Sequence, residues 1–294
     1  MTRLSACMIV KNEEEMLPRC LESIQGTVDE LIVVDTGSTD QTMEIARSFG
    51  AKVYEHPWQN DFSLHRNQSI GYATGDWILI IDADERLVLD RTPEELKRFL
   101  NQIPKKFDAV AMEIWDYEQE RLTMKANTTR FFRNGKVEYK GIIHNQASTK
   151  EAIAGMLNFC RIYHYGYGLS PEKMKAKFKR TETMLLDRLA KDPTDYVCHF
   201  YLSQIYGKKR MSVKCIQHGE EYLKHRHELR DVFMGHIYVS VVHHYQLLGD
   251  SANLERVLLE GLQEFPDDLD LNFALVDYAV AHAQGTCSCG APCS

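Results

Sequence analysis

No apolar run in the 294-residue chain approaches the roughly 18 residues needed to cross a bilayer, so any membrane contact would be peripheral. The opening apolar segment, Leu4 to Val10, is cut short by Lys11 and the acids after it, too short for the core of a secretion signal. The expectation is a cytoplasmic protein. Positive charge is not in excess either. With 35 Lys and Arg against 42 Asp and Glu, the formal net charge is −7, which counts against a broad nucleic-acid footprint. The basic stretch Lys173 to Lys191 keeps helical spacing and reads as a solvated helix face. Paired metal-binding cysteines are also missing. Cys7, Cys20, Cys160, Cys198 and Cys215 are scattered and read as reduced, packed thiols. Cys287, Cys289 and Cys293 crowd the last eight residues without a matching C-x-x-C pair elsewhere, which leaves two readings, a flexible tail or a soft-metal or redox role.

What is present is ordinary in bulk and specific in order. A chain of this length, 44% hydrophobic and 26% charged, suits two domains. Residues 4–10 and 31–35 are β-branched runs, and between them Met16, Leu17, Cys20, Leu21 and Ile24 keep helical spacing. Thr36 to Asp40 supplies a turn and cap before the amphipathic segment Gln41 to Phe49, and Ala51 to Tyr54 makes a third strand. Repeated β-α-β units specify a parallel sheet with right-handed crossovers. Trp77 to Ile81 is a further buried strand, Pro93 to Asn101 a helix capped by Thr92, and Asp108 to Tyr117 a strand. Short pieces at Asn127 to Phe132, Val137 to Tyr139 and Ile142 to His144 surround Asn134-Gly135, a hairpin signal.

From Pro171 to about His282 the pattern is helical. The segment Asp192-Pro193-Thr194-Asp195 is echoed by Phe265-Pro266-Asp267-Asp268 at about twice the 34-residue tetratricopeptide period. Helix pairs over 195–226 and 231–264 with a closing helix from 268 are therefore expected, a plain helical cap being the alternative. The domain expectation is 1–168 for the α/β part, 169–284 for the helices and 285–294 for the tail. The helical part is also a candidate surface for self-association.

The chemistry gathers at strand tips. Asp82-Ala83-Asp84 follows Trp77 to Ile81, and Asp35 ends the second strand. In a parallel α/β sheet the ligand crevice lies outside the carboxyl ends of the strands. Side chains alternate along an extended chain, so Asp82 and Asp84 are expected on one face, as a divalent cation and diphosphate require. Asp35 reads as an acceptor for a base imide or ribose hydroxyl, or else as a helix-dipole acid beside Ser38. Arg66 reads as a phosphate or sugar contact, or as a surface partner of Asp61. Trp58 and Trp77 read as core. His144 stands open as metal ligand, general base or structural histidine. Glu113 and Asp116 are candidate bases.

Four motifs in order carry a family resemblance: Cys7 to Glu15, Ile32 to Thr42, Trp58 to Asn67 and Gly75 to Glu85. With them the chain over about 4–170 resembles the family 2 glycosyltransferases of GT-A fold that carry a tetratricopeptide-like helical C-terminus. The resemblance implies a Rossmann-like mixed sheet, a UDP-sugar donor, Mn²⁺ or Mg²⁺, and inverting transfer of a hexose to a peptide, protein or glycan acceptor. Mapped onto this chain it implies nucleotide-sugar contacts from Val10, Asn12, Glu14, Asp35, Arg66, Asp82, Ala83, Asp84 and Arg130. The metal ligands it implies are drawn from Asp84, Asp82, His144 and His164, and the catalytic set is Asp84, His144 and Asp116. One departure stands out: relatives often carry Glu after the histidine, and here Asn145, which cannot act as a base, takes that place. An idle peptide-binding scaffold and a nucleotidyltransferase remain the competing functions.

Overall fold

A computed structural model of the chain describes residues 2–118, 120–141, 145–166, 171–226 and 234–285. Strand β1 (Leu4–Val10) is buried almost throughout, and β2 (Glu30–Asp35) and β4 (Trp77–Ile80) wholly so. Continuous apolar runs of this kind belong to strands covered on both faces. Between them lie α1 (Leu17–Ile24), α2 (Thr42–Ser48), the edge strand β3 (Lys52–Glu55) and α3 (Phe62–Gly71). Then follow β5 (Glu85–Leu89), α4 (Pro93–Gln102), β6 (Phe107–Glu118), β7 (Arg121–Arg133), β8 (Val137–Lys140), β9 (Gln146–Thr149) and β10 (Ala152–His164). Local chemistry starts the helices: Asp61 accepts from the Leu64 N–H, and Thr92 with Glu95 forms a reciprocal capping box ahead of Pro93.

Eight strands form one mixed sheet in the order β3-β2-β1-β4-β7-β6-β10-β5. The first four are parallel, β7 runs antiparallel to both β4 and β6, and β10 lies parallel to β6 and antiparallel to β5. This is the GT-A arrangement, a Rossmann-like half extended by antiparallel strands. Period-two alternation splits the core. Leu4, Ala6, Met8, Leu79 and Phe131 pack with α1 and α4 on one face, and Cys7, Ile32, Ile78, Ile80 and Phe132 pack with Ile70 of α3 on the other. Strands β8 and β9 pair with each other as a separate hairpin.

The remaining chain is helical: α5 (Pro171–Lys191), α6 (Tyr196–Lys208), α7 (Ser212–Lys224), α8 (Met234–Leu248), α9 (Ser251–Glu264) and α10 (Leu269–Gly285). Two antiparallel pairs and a closing helix share a core around Tyr222, Ile237, Tyr238, Val241, Leu258 and Leu271. Chain contacts divide the molecule into two compact units between Lys175 and Ala176, inside α5. Among the described residues no helix is long and apolar enough to cross a membrane.

Several local expectations are corrected. Asn134-Gly135 makes a turn, with Gly135 at φ 75°, but no hairpin closes across it, because β7 joins the large sheet and β8 pairs with β9. Asp82 and Asp84 do not continue an extended strand. β4 stops at Ile80, and Ala83 and Asp84 form a turn in which the Glu85 N–H donates to the Asp82 carbonyl. Strands β5, β9 and β10 have no counterpart among the elements expected from the sequence. Trp77 is core, whereas Trp58 is only partly covered and donates to Asn60 Oδ1. Ile142 to His144 and Cys287, Cys289 and Cys293 lie outside the described residues.

Candidate active site

The parallel strands deliver their last residues to one edge. Val10 and Asp35 are in register across β1 and β2, and the Val10 carbonyl accepts from both the backbone and the hydroxyl of Thr36. Asp35 is 1% exposed. Its Oδ1 accepts from the backbone of Gly37 at 2.8 Å and Ser38 at 2.9 Å, while Oδ2 is buried with no partner. A buried carboxylate oxygen without a donor costs stability unless something supplies one. Asn12 and Glu14 are exposed and tie the loop after β1 to the loop after β2. Asn12 Oδ1 accepts from Thr39 N and Glu14 Oε2 from Gln41 N, with Asn12 itself held at φ 55°.

At the tip of β4 charge is dense and buried. Arg66, 6% exposed, is carried by α3 and reaches Asp82 Oδ1 at 2.8 Å, with its guanidinium 5.2 Å from the Tyr139 ring. The surface pairing with Asp61 does not form; Asp61 is the α3 cap. Arg130, from β7, lies 3.7 Å from Asp82 Oδ2 and bonds Glu85 Oε1. Burial would raise the Asp82 carboxyl, and the charges of Arg66 and then Arg130 outweigh it, holding the group below its usual range. Glu85, also buried, accepts from the Asp82 N–H; burial pushes it up to about 7 against the pull of Arg130. Nε and one terminal nitrogen of Arg66, and Nε of Arg130, are buried donors with no acceptor.

Beside this cluster Asp84 faces His164, the last residue of β10. Asp84 Oδ2 is 3.4 Å from His164 Nε2, and His164 Nδ1 is 2.7 Å from Asp116 Oδ1. Burial opposes a charge on the imidazole, but the bond and charge of Asp84, then the Asp116 bond, raise it to about 9. Gly166 comes close to this pair without a side chain. A Cβ there would fall 2.1 Å from Asp84 Oδ2 and 2.6 Å from His164 Nε2. Ala83 is buried between the two acids, and the Asp84 carbonyl accepts from Tyr165 N. Asp116, offered by the sequence as a base, is 5% exposed and shared with His164, while Glu113 accepts from the Trp115 indole.

The fold thus gathers Asp82, Asp84, Arg66, Arg130, His164 and Asp116, and sets Asp35 at a neighbouring strand tip. Asn12 and Glu14 act between loops. His144 is outside the described residues; its neighbour Asn145 has a buried side-chain nitrogen without an acceptor. Glu85, Tyr139 and Gly166 received no role from the sequence. The signals were there: an acid directly after Asp82-Ala83-Asp84, and a glycine two positions after His164. Among the described residues, no three His, Cys, Asp or Glu side chains are grouped to hold a cation by themselves.

The family description Glycosyl transferase family 2 matches residues 5–166. A TPR repeat-containing protein of Synechococcus elongatus is 38% identical over 215 residues, 67% of this chain and 51% of its own length. The SPbeta prophage-derived glycosyltransferase SunS of Bacillus subtilis is 29% identical over 224 residues, 74% of this chain and 51% of its own. The chain therefore spans about half the length of these curated relatives. Among solved structures, glucosyl-3-phosphoglycerate synthase from Mycobacterium tuberculosis, in complex with Mn²⁺, UDP and glucosyl-3-phosphoglycerate, aligns with a TM-score of 0.30 at 23% identity. That alignment covers 40% of this chain and 44% of that one.

Proposed function

The chain belongs to glycosyl transferase family 2, and from that premise we propose that it moves a hexose from a UDP-sugar to an acceptor hydroxyl or thiol, with inversion at the anomeric carbon. The observation that carries the reading is one strand edge holding two complementary halves. One is the Asp84–His164 pair and the other the Arg66–Asp82–Arg130 clamp. Mn²⁺ or Mg²⁺ fits the first half. Adjacent ligands of an octahedral cation with bonds near 2.1 Å stand roughly 3 Å apart, close to the 3.4 Å seen. Gly166 leaves open the space that a larger residue would fill. Two protein ligands are few, as is usual for a cation that also takes substrate phosphates. When bound, the cation would neutralise the charge that builds on the diphosphate as the sugar leaves.

The protein's own groups divide the remaining work. Asp35 Oδ2 is an acceptor awaiting an N–H or O–H, which a uracil imide or ribose hydroxyl provides. Arg66 and Arg130 keep Asp82 ionised and bring unpaired N–H groups to the region where an anionic leaving group would lie. Asn145 offers no base, and Glu85 and Asp116 are buried and already engaged. An acceptor that ionises readily, such as a thiol, places the smallest demand on such a site. The helical repeats offer the kind of extended surface that suits a peptide acceptor.

The test is a panel of UDP-sugars with and without Mn²⁺, read as UDP release and as thermal stabilisation by UDP plus Mn²⁺. Asp84→Ala is expected to lose at least about 100-fold in turnover, since cation stabilisation is worth several kcal/mol. UDP binding that ignores Mn²⁺, or undiminished turnover in Asp82→Ala, would overturn the mechanism. Pyrophosphate release would replace it with nucleotidyl transfer.

A further inference from the structure

We propose that Asp116 is a positioning residue for the cation site: its carboxylate locks the His164 ring so that Nε2, and not Nδ1, is presented beside Asp84. This rests on the metal reading above. The arrangement is built into the sheet. β10 lies between β6 and β5, and His164 stands directly opposite Asp116 on one side and Glu85 on the other. Directly opposed side chains on neighbouring strands project to the same face about 5 Å apart, so the pair meets without a loop having to order.

An ionised carboxylate only accepts, so the 2.7 Å bond requires a proton on His164 Nδ1. In the neutral ring the lone pair is then on Nε2, the nitrogen 3.4 Å from Asp84 Oδ2. Asp116 is itself fixed. The β6–β7 ladder is irregular between Asp116 and Tyr117, and Thr123 Oγ1 donates to the Asp116 carbonyl at that point. Such irregularities redirect side chains next to sites of function. Carboxylates that orient a ligating histidine typically account for 10- to 100-fold in metal affinity.

The measurement is free Mn²⁺ by electron paramagnetic resonance during titration of the full chain in saturating UDP, with melting temperature recorded alongside. His164→Ala should weaken Mn²⁺ binding strongly. Asp116→Ala should weaken it about 10- to 100-fold. Asp116→Asn keeps an oxygen for the Nδ1 proton, is the variant least disturbing to folding, and should recover part of that loss. UDP affinity without metal should stay level in all three, a separation that a general loss of structure would not give. If His164→Ala binds Mn²⁺ as the wild type does, or the wild type binds none, the metal reading fails and this inference with it. If His164→Ala is weakened while Asp116→Ala and Asp116→Asn bind like the wild type, the metal reading stands and Asp116 has no positioning role.

Discussion

Asp35→Asn isolates nucleoside recognition from everything else at the site. The native carboxylate spends one oxygen on Gly37 and Ser38 and leaves the other buried without a partner. Asparagine can keep the first bond pair through its carbonyl, but it puts an NH₂ where a ligand donor should find an acceptor. A hydrogen bond to a charged group is worth about 1.5–3 kcal/mol, and donor facing donor forfeits at least that much. At 1.4 kcal/mol per factor of ten, the Kd for UDP should rise roughly 10- to 150-fold. Because one orphaned atom replaces another in the unliganded protein, the melting temperature without UDP should move by less than about 3 °C. Isothermal titration of UDP in saturating Mn²⁺ gives the affinity, and a thermal scan gives the control. A Kd within about threefold of wild type, with the fold intact, would refute the role given to Asp35.

Two further predictions concern stability. Glu30 accepts from Lys52, Ser5 and both the backbone and hydroxyl of Thr74; burial would raise its carboxyl, but these bonds, led by Lys52, bring it down to about 2. With the folded value below the usual 4.5, its contribution is present above about pH 4.5 and is lost as pH falls toward 2. Discounted for the exposed Lys52, it amounts to about 1–3 kcal/mol, so Glu30→Gln should be less stable at pH 6 and show a flatter decline to pH 3 in urea unfolding; equal slopes would count against it. In the helical unit, a Cβ on Gly219 would lie 2.3 Å from Val241 Cγ2 and 3.1 Å from Ser203 Oγ. Gly219→Ala should therefore cost about 1–3 kcal/mol and lower the helical melting transition by several degrees, with UDP affinity unchanged; an unaltered transition would show that α7 and α8 can part at no cost.

What could be read in advance was whatever the chain encodes locally. The apolar runs of β1, β2 and β4, the helical spacing from Met16 to Ile24, the Thr92 cap and the two helix pairs after Pro193 all follow from residue type and spacing in short windows. The ordered motifs around Asp35 and Asp82-Ala83-Asp84 told the family for the same reason, since a strand tip and the turn after it are adjacent in sequence. β10 escaped because it is not locally marked. Gly155 interrupts it, Ile153 and Met156 are exposed, its register against β6 shifts three times, and its other partner is β5, far earlier in the chain.

The sequence by itself therefore determined the class of fold, the strand tips at which the acids gather, and the residue types found there. Only the tertiary structure decided which of them act together. It turned Arg66 from Asp61 to Asp82, buried Glu85 against Arg130, and joined His164 to Asp84 and Asp116. The physical reason is that a pairing such as Asp116 with His164 spans 48 positions and depends on β10 entering between β6 and β5. That insertion is fixed by the burial of whole strands and not by anything near either residue.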